Sequence, residues 1–222
     1  MIIPAINESA WIERAVSRAW QAGIDEVLVV DGGSNDDTQE LARRGGARVV
    51  SSLLGRAIQQ NRGAALAGGD ILLFLHADNW LAPQAGTQIR ERLRDGAVLG
   101  GAFYQQIDAP QKLYRWIERG NALRVRLRGL AYGDQAIFMR RDVFQRLGGF
   151  PEVKLMEDLL LMRRFRQLSR PVLLPGPVHV HSRRWQRRGI IWQTLCNWTL
   201  LCAEAFGVAP DRLAKFYPPH EH

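Results

Sequence analysis

Residues 71–79 read ILLFLHADN: five apolar residues run directly into His76, Ala77, Asp78 and Asn79. One such ending has an ordinary explanation, because a buried strand that reaches the surface begins a turn there. The fold is decided by the recurrence of the pattern. VLVV at 27–30 is a β-branched run of the type buried in parallel sheets, and it stops at Asp31-Gly32-Gly33. ARVV at 47–50 is another such run, and Ile2-Ile3 opens a very short first strand. Helical patterns fill the gaps at about 9–21, from Ser34 onward, and at 56–67. Asp37 stands three residues after Ser34 as in a capping box, with Leu41 beginning the apolar face. Strand and helix in alternation predict an α/β fold, a mostly parallel central sheet with helices on both faces. Such sheets bind ligands beyond the carboxyl ends of their strands, and Asp31 and Asp78 both occupy such ends.

The second half is less regular. A strand is expected near 97–107, a basic helical region at 111–128, a short strand AIFM at 136–139 and a short helix at 141–147 closed by Gly148-Gly149. A helix at 157–168, a strand VLL at 172–174 and a long helix at 189–206 complete the pattern. No internal repeat or low-complexity linker divides the chain, so residues 1–222 are read as one domain.

Of the 222 residues, 46% are hydrophobic and 23% charged, as in a soluble globular protein large enough to need no staples. Cys196 and Cys202 lie six apart on an expected helix, on different faces, and are not expected to pair. The N-terminal segment has neither a basic n-region nor an apolar h-region, which points to a cytoplasmic protein. Gln193, Asn197 and Glu204 interrupt the most apolar stretch, so no spanning helix is expected. The net charge of +8 points to an anionic partner, with arginine runs at 124–128 and 183–188. Neither zinc-finger spacing nor an RNP-type aromatic motif is present, so a nucleic-acid partner is not expected.

Four clusters combine in order: PAINE at 4–8, VDGGSNDDT at 30–38, HAD at 76–78 and Glu157-Asp158. Together they resemble the family-2 glycosyltransferases of the GT-A fold, a Rossmann-like nucleotide-binding architecture. NRGAALAGGDILLFLHADN at 61–79 and GDQAIFMRRDVFQRLGGF at 133–150 extend the resemblance across about residues 2–175. HAD in place of D-x-D, GRAIQQNRGA at 55–64 and SRRW at 182–185 are most similar to the bacterial branch associated with radical-SAM and selenium-related proteins.

The resemblance implies transfer of a sugar from a nucleotide-diphosphate sugar donor to a hydroxyl acceptor, with inversion. It divides the chain into a nucleotide-sugar-binding half (1–100), an acceptor and catalytic half (101–188), and a C-terminal helix and tail (189–222). Pro4, Ala5 and Glu8 fall in the first nucleotide-binding motif. Asp31 is placed to accept the imino N–H of a base. A uracil-type edge suits it best, although other bases fit too, and Gly32 and Gly33 let the backbone come close. Asp78 corresponds to the last aspartate of D-x-D and is the expected ligand for Mn2+ or Mg2+. His76 departs from the usual first aspartate and is read as a ribose or phosphate contact. Residues 76 and 78 alternate along an extended chain, so their side chains are expected on one side. Arg56, at a helix start, is a phosphate candidate. His179, His181, Arg183 and Arg184 occupy the position of a loop that contacts the diphosphate in related enzymes, and His181 is a second metal candidate. Asp158 is expected to be the general base, with Glu157 as its neighbour or orienter.

The tryptophans of 190–206 and the basic run before them have the makings of an interfacial helix. A lipid-linked acceptor and peripheral contact with the inner face of the membrane would follow, while packing against the domain or a second subunit explains the same pattern. A sugar nucleotidyltransferase shares the core, but PAINES lacks the glycine and arginine of a triphosphate loop. A non-catalytic nucleotide- or anion-binding module is the remaining alternative.

Overall fold

The computed structural model describes residues 1–216, apart from the side chain of Arg184. The strands are β1 (Ile2–Ala5), β2 (Leu28–Asp31), β3 (Arg48–Ser51), β4 (Ile71–Leu73), β5 (Asn79–Leu81), β6 (Gly100–Asp108), β7 (Phe138–Arg140) and β8 (Val172–His181). The helices are α1 (Ile12–Gln21), α2 (Thr38–Arg44), α3 (Arg56–Leu66), α4 (Ala85–Leu93), α5 (Lys112–Arg128), α6 (Arg141–Arg146), α7 (Glu157–Leu168), α8 (Arg183–Arg188), α9 (Ile190–Ala205) and α10 (Pro210–Leu213).

β1, β2 and β3 pair in parallel, and a parallel bridge from Ile2 to Phe74 joins them to the second sheet. That sheet has the order β4-β7-β6-β8-β5, with β6 and β8 parallel and the other pairs antiparallel. The period-2 alternation of strand side chains divides the core. Ile3, Val29, Leu73 and Leu75 face one side with Ile12, Val16 and Ala19 of α1 and Ile89 of α4. Ile2, Val30, Leu72 and Phe74 face the other, against Ala57 of α3, Phe144 of α6 and Leu161 and Phe165 of α7. Helices therefore cover both faces, and the strand ends are left to build the site.

Local differences from the sequence expectation have identifiable causes. The helix expected from Ser34 begins at Thr38, because the Ser34 hydroxyl bonds the Asp31 carboxylate instead of capping a helix. β8 runs to His181, well beyond VLL, because after Pro177 the alternation Val178-His179-Val180 pairs with both β5 and β6. β5, α4 and α8 were not anticipated. His76–Asp78 do not continue an extended strand: the Asn79 N–H reaches the His76 carbonyl at 3.1 Å, closing a turn. Cys196 and Cys202 are free thiols. Among the described residues no helix is long and apolar enough to cross a membrane.

Candidate active site

A cavity of about 190 Å³ opens between the HAD turn, residues 132–134, the start of α7, the end of β8 and α9. Its walls include Arg56, His76, Asp78, Asn79, Tyr132 and Asp134, followed by Leu155 to Leu159. Val180, His181, Trp185, Gln193, Asn197, Leu200 and Leu201 close it. Segments distant in the sequence, from Arg56 to Leu201, therefore meet here.

Asp158 sits in the first turn of α7, where the helix dipole favours a carboxylate. Its Oδ2 accepts the Gly133 N–H at 2.5 Å and its Oδ1 the Leu159 N–H at 2.7 Å. Each oxygen retains lone-pair capacity for a substrate hydroxyl. Gly133 is wedged between two site residues: a Cβ there would stand 2.7 Å from His76 Nε2 and 3.2 Å from Asp158 Oδ2. His76 thus lies beside the Asp158 carboxylate. Glu157 is buried and receives Arg56 Nε at 2.7 Å, so Arg56 lines the cavity already engaged with a carboxylate.

Arg183, at the start of α8, bonds Asp78 of the cavity wall. Its Nε lies 2.9 Å from Asp78 Oδ2, and its Nη2 donates to Glu8 Oε1 at 2.8 Å. Glu8 is therefore linked to the HAD turn through this guanidinium. Arg183 itself has a raised pKa: burial works against its charge, and Glu8 and Asp78 overcome it. Burial holds the His181 imidazole below its usual value, with Asp78 acting in the opposite sense. The His181 Nδ1 accepts the Arg183 N–H at 3.1 Å, and its ring lies 4.1 Å from that of Trp11. His179, in contrast, stacks on Trp80 away from the cavity. The side chain of Arg184 lies outside the described residues.

The motif after β2 is tied into its own loop and to the segment after β1. Asp31 is fully buried. Its Oδ2 accepts the N–H groups of Gly33 and Ser34, each at 3.0 Å, and Gln39 Nε2 at 2.8 Å, while Oδ1 takes the Ser34 hydroxyl. A carboxylate so engaged shapes its own loop, while Oδ1, with a single donor, keeps lone-pair capacity for a further N–H. The same loop then grips the segment after β1. Ser34 Oγ accepts Asn7 N–H at 2.9 Å, Thr38 Oγ1 accepts Glu8 N–H at 2.7 Å, and Asp36 Oδ2 accepts Ser9 N–H at 3.1 Å. Pro4 and Ala5 are buried at the end of β1 and do not line the cavity. The Ala5 carbonyl accepts Gly32 N–H at 2.9 Å and Gln59 Nε2 at 2.9 Å. Gln59, which also donates to Val30 O at 2.8 Å, fastens the ends of β1 and β2. A Cβ on Gly32 would meet its side chain at 3.1 Å, so the glycine is required by this close approach.

Sequence reasoning missed Gln59, Asn79, Tyr132, Asp134 and the α9 roof. Tyr132 carries the Arg124 guanidinium 3.5 Å from its ring centroid. Asp134 Oδ2 accepts Gln105 Nε2 at 2.8 Å, and Gln105 is held in turn by Asn121 at 2.6 Å. Asp134 and Gln135 were visible in the GDQ of the acceptor-side segment, but nothing in that segment told which residue would face a cavity.

A divalent cation can be tested against this donor set. Asp78 already accepts positive charge, from Arg183, and is a hard oxygen ligand. Among the described residues no group of three or more His, Cys, Asp or Glu stands ready to hold a metal. The protein's own donors would therefore hold such an ion through Asp78, with His181 adjacent, and would leave the rest of its coordination to other ligands.

The fold and this cavity are those of a nucleotide-dependent transferase architecture, and comparison with known proteins gives the family. Residues 1–193 match the model of glycosyl transferase family 2, and the chain belongs to that family. It is 37% identical over 90 residues to the glucosyl-3-phosphoglycerate synthase of Mycobacterium tuberculosis, covering 35% of this chain and 28% of the relative. It is 31% identical over 156 residues to the undecaprenyl-phosphate 4-deoxy-4-formamido-L-arabinose transferase of Pseudomonas aeruginosa, covering 63% and 45%. The chain thus spans less than half the length of either relative. The crystal structure of the M. tuberculosis synthase with Mn2+, UDP and phosphoglyceric acid superposes with a TM-score of 0.56 at 24% identity, covering 81% of this chain and 66% of that one. At that identity the superposition establishes the shared GT-A fold.

Proposed function

We propose that the protein transfers a sugar from a nucleotide-diphosphate sugar, a UDP-sugar by preference, to a hydroxyl acceptor with inversion at the anomeric carbon. The observation that carries this reading is that Asp78, His181 and Asp158 line one cavity. Asp158 takes the proton of the acceptor hydroxyl as its oxygen attacks the anomeric carbon, and the C–O bond to the diphosphate breaks with its electron pair leaving on the nucleotide. A positioned base of this kind contributes about 10²–10⁴-fold. Glu157 and Arg56 hold the start of α7 in place, and the Asp31 loop shapes the nucleotide end through Asn7 and Glu8. Mn2+ or Mg2+ bound at Asp78 supplies positive charge against the leaving diphosphate. Arg183, held beside Asp78, would add a guanidinium charge near the same place. Residues 1–100 on this reading serve the donor and 101–188 the acceptor and base. HAD, GRAIQQNRGA and SRRW support placement in the radical-SAM-associated branch.

The named relatives act with phosphoglycerate and with undecaprenyl phosphate, so a small or a lipid-borne acceptor is in keeping with the family. A peripheral membrane contact is supported by α9, which exposes Ile191, Trp192, Leu195 and Trp198 beside the exposed Arg187 and Arg188.

The test is calorimetric binding of UDP, GDP and CDP, each with Mn2+, Mg2+ or EDTA, to the wild type and Asp78→Ala. Metal-dependent binding of one nucleotide, lost in the variant, supports the reading. A folded protein that binds none of them refutes it and leaves a module that binds some other anion.

A further inference from the structure

Helix α5 carries two faces of different character. Tyr114, Glu118, Ala122 and Val125 are buried, where α5 packs on β6 and β8. On the opposite side Leu113, Trp116, Leu123 and Leu127 are all exposed, Trp116 at 65% and Leu127 at 67%. With Gly120 they recur at alternating intervals of three and four residues, which sets them in one stripe about 21 Å long. A Cβ on Gly120, in the middle of the stripe, would meet nothing within 4 Å, so no neighbouring element of the described residues covers that point.

Positive charge lines one edge of this stripe. Lys112, Arg119 and Arg126 recur seven residues apart and are all exposed, with the Arg119 guanidinium 5.5 Å from the Trp116 ring centroid. Arg166 and Arg170 donate to the carbonyls of Arg128 and Arg126 and carry the positive charge past the helix C-terminus. The single carboxylate of α5, Glu118, is turned inward, where it receives Arg115 Nη2 at 3.0 Å and the Ile107 N–H at 2.6 Å. The exposed surface of α5 is therefore cationic and apolar, with no acidic group on it.

We infer that the outer face of α5 docks on an anionic phospholipid surface, a contact separate from α9 and independent of the transferase reading. Leucine and tryptophan along one stripe with lysine and arginine beside it is the pattern of a helix lying in a membrane interface. The exposed leucines gain by leaving water, and an indole suits the headgroup level. The arginine stems lie along the apolar surface while their charged ends hold phosphate oxygens. A second copy of the same face fits worse, because pairing two such helices brings cationic rows together with no exposed carboxylate to offset them. A nucleic acid would answer the charge and leave the leucines in water. The inner face of α5 reaches the cavity, since Arg124 lies over the ring of Tyr132 and the Tyr114 ring meets that of Trp185 at 5.8 Å. Tyr132 and Trp185 both line the cavity, so a docked α5 brings its wall near the lipid.

The experiment co-sediments the full chain with phosphatidylcholine vesicles, with and without phosphatidylglycerol. Two α5 variants are compared with the wild type, Trp116→Glu with Leu123→Glu and Arg119→Gln with Arg126→Gln. A control, Arg92→Gln with Arg94→Gln, removes the same charge from α4, which packs on the other side of the sheet. Binding is expected to require phosphatidylglycerol, and each α5 variant should lower the partition coefficient by about tenfold or more. The α4 control should stay within about threefold of the wild type. Melting temperatures check that the variants are folded, and sedimentation equilibrium without vesicles is expected to show a monomer. No binding to phosphatidylglycerol vesicles, or an equal loss in the α4 control, would overturn the inference. Binding indifferent to both α5 variants would overturn it too and leave the stripe to a protein partner. A dimer that the Trp116 and Leu123 substitutions dissociate would overturn it in favour of a second copy.

Discussion

The Arg183 guanidinium lies between two carboxylates, with Nε 2.9 Å from Asp78 and Glu8 bound on its other edge. Its side chain is 19% exposed and those of Glu8 and Asp78 10% and 14%. Removing one member of such a cluster leaves buried charge without compensation. Arg183→Gln is therefore expected to cost about 2–4 kcal/mol, read as a drop of about 4–12 °C in the melting temperature. Mn2+ with UDP should restore more stability to the variant than it adds to the wild type. An unchanged melting temperature would show that the bridge does not hold the site together.

Gly133 lies against His76 and Asp158. Alanine there must displace His76 or Asp158, since its Cβ would stand 2.7 Å from Nε2 of the first. Gly133→Ala is expected to lower turnover by about 10² or more through misplacement of the base, while UDP affinity stays within about threefold. Loss of both together would mean that the glycine serves the fold more than the site.

The Arg56–Glu157 pair is asymmetric in burial, at 28% and 3% side-chain exposure. Arg56→Gln removes a charged donor from a carboxylate that cannot reach water, whereas Glu157→Gln leaves an arginine that can. The first substitution should therefore destabilise more than the second, by about 1–2 kcal/mol. Chemical denaturation of the two variants decides the order.

Some of this was legible in the sequence because it follows from chain chemistry. The runs VLVV and ILLFL fixed the parallel half of the sheet, and EDLLLMRRFRQL gave α7 its observed limits, Glu157–Leu168. Asp78, His181 and Asp158 could be named because they end or begin such elements. The rest depends on distance in space. Asn7, Ala136 and Met156 adopt positive φ without being glycine, beside Glu8, Gln135 and Glu157 respectively, and no local propensity announces such strain. The engagement of Asp31 by its own loop was hidden for a related reason. A strand-end aspartate reads alike whether it meets a ligand or the next three residues.

Asp36 supplies a pH test of the loop that grips the segment after β1. Burial pushes its carboxyl up, but hydrogen bonds from the Thr38 hydroxyl and from the Ser9 and Thr38 N–H groups outweigh that and bring it down to about 2. A depressed carboxylate contributes stability that is present above its unfolded value, near 4, and is lost as pH falls toward about 2. Asp36→Asn should reduce the acid sensitivity of unfolding within that window and loosen the Ser9 segment. Denaturation curves for the two proteins between pH 5 and about 2 check it, and identical pH dependence would remove Asp36 from the account.

The exposed aromatic face of α9 predicts binding to vesicles containing anionic phospholipid, with little binding to zwitterionic ones. Trp192→Glu with Trp198→Glu should reduce co-sedimentation by about tenfold or more without altering UDP affinity. Equal sedimentation of the double variant would place the membrane contact elsewhere or remove it.

The account rests most directly on Asp158 as the base, and one comparison tests it: release of nucleoside diphosphate from the sugar nucleotide that binds, by wild type and Asp158→Asn, with affinity measured on the same samples. The prediction is unchanged donor affinity within about threefold and turnover lower by about 10²–10⁴. Turnover that survives the substitution at the wild-type rate would contradict it.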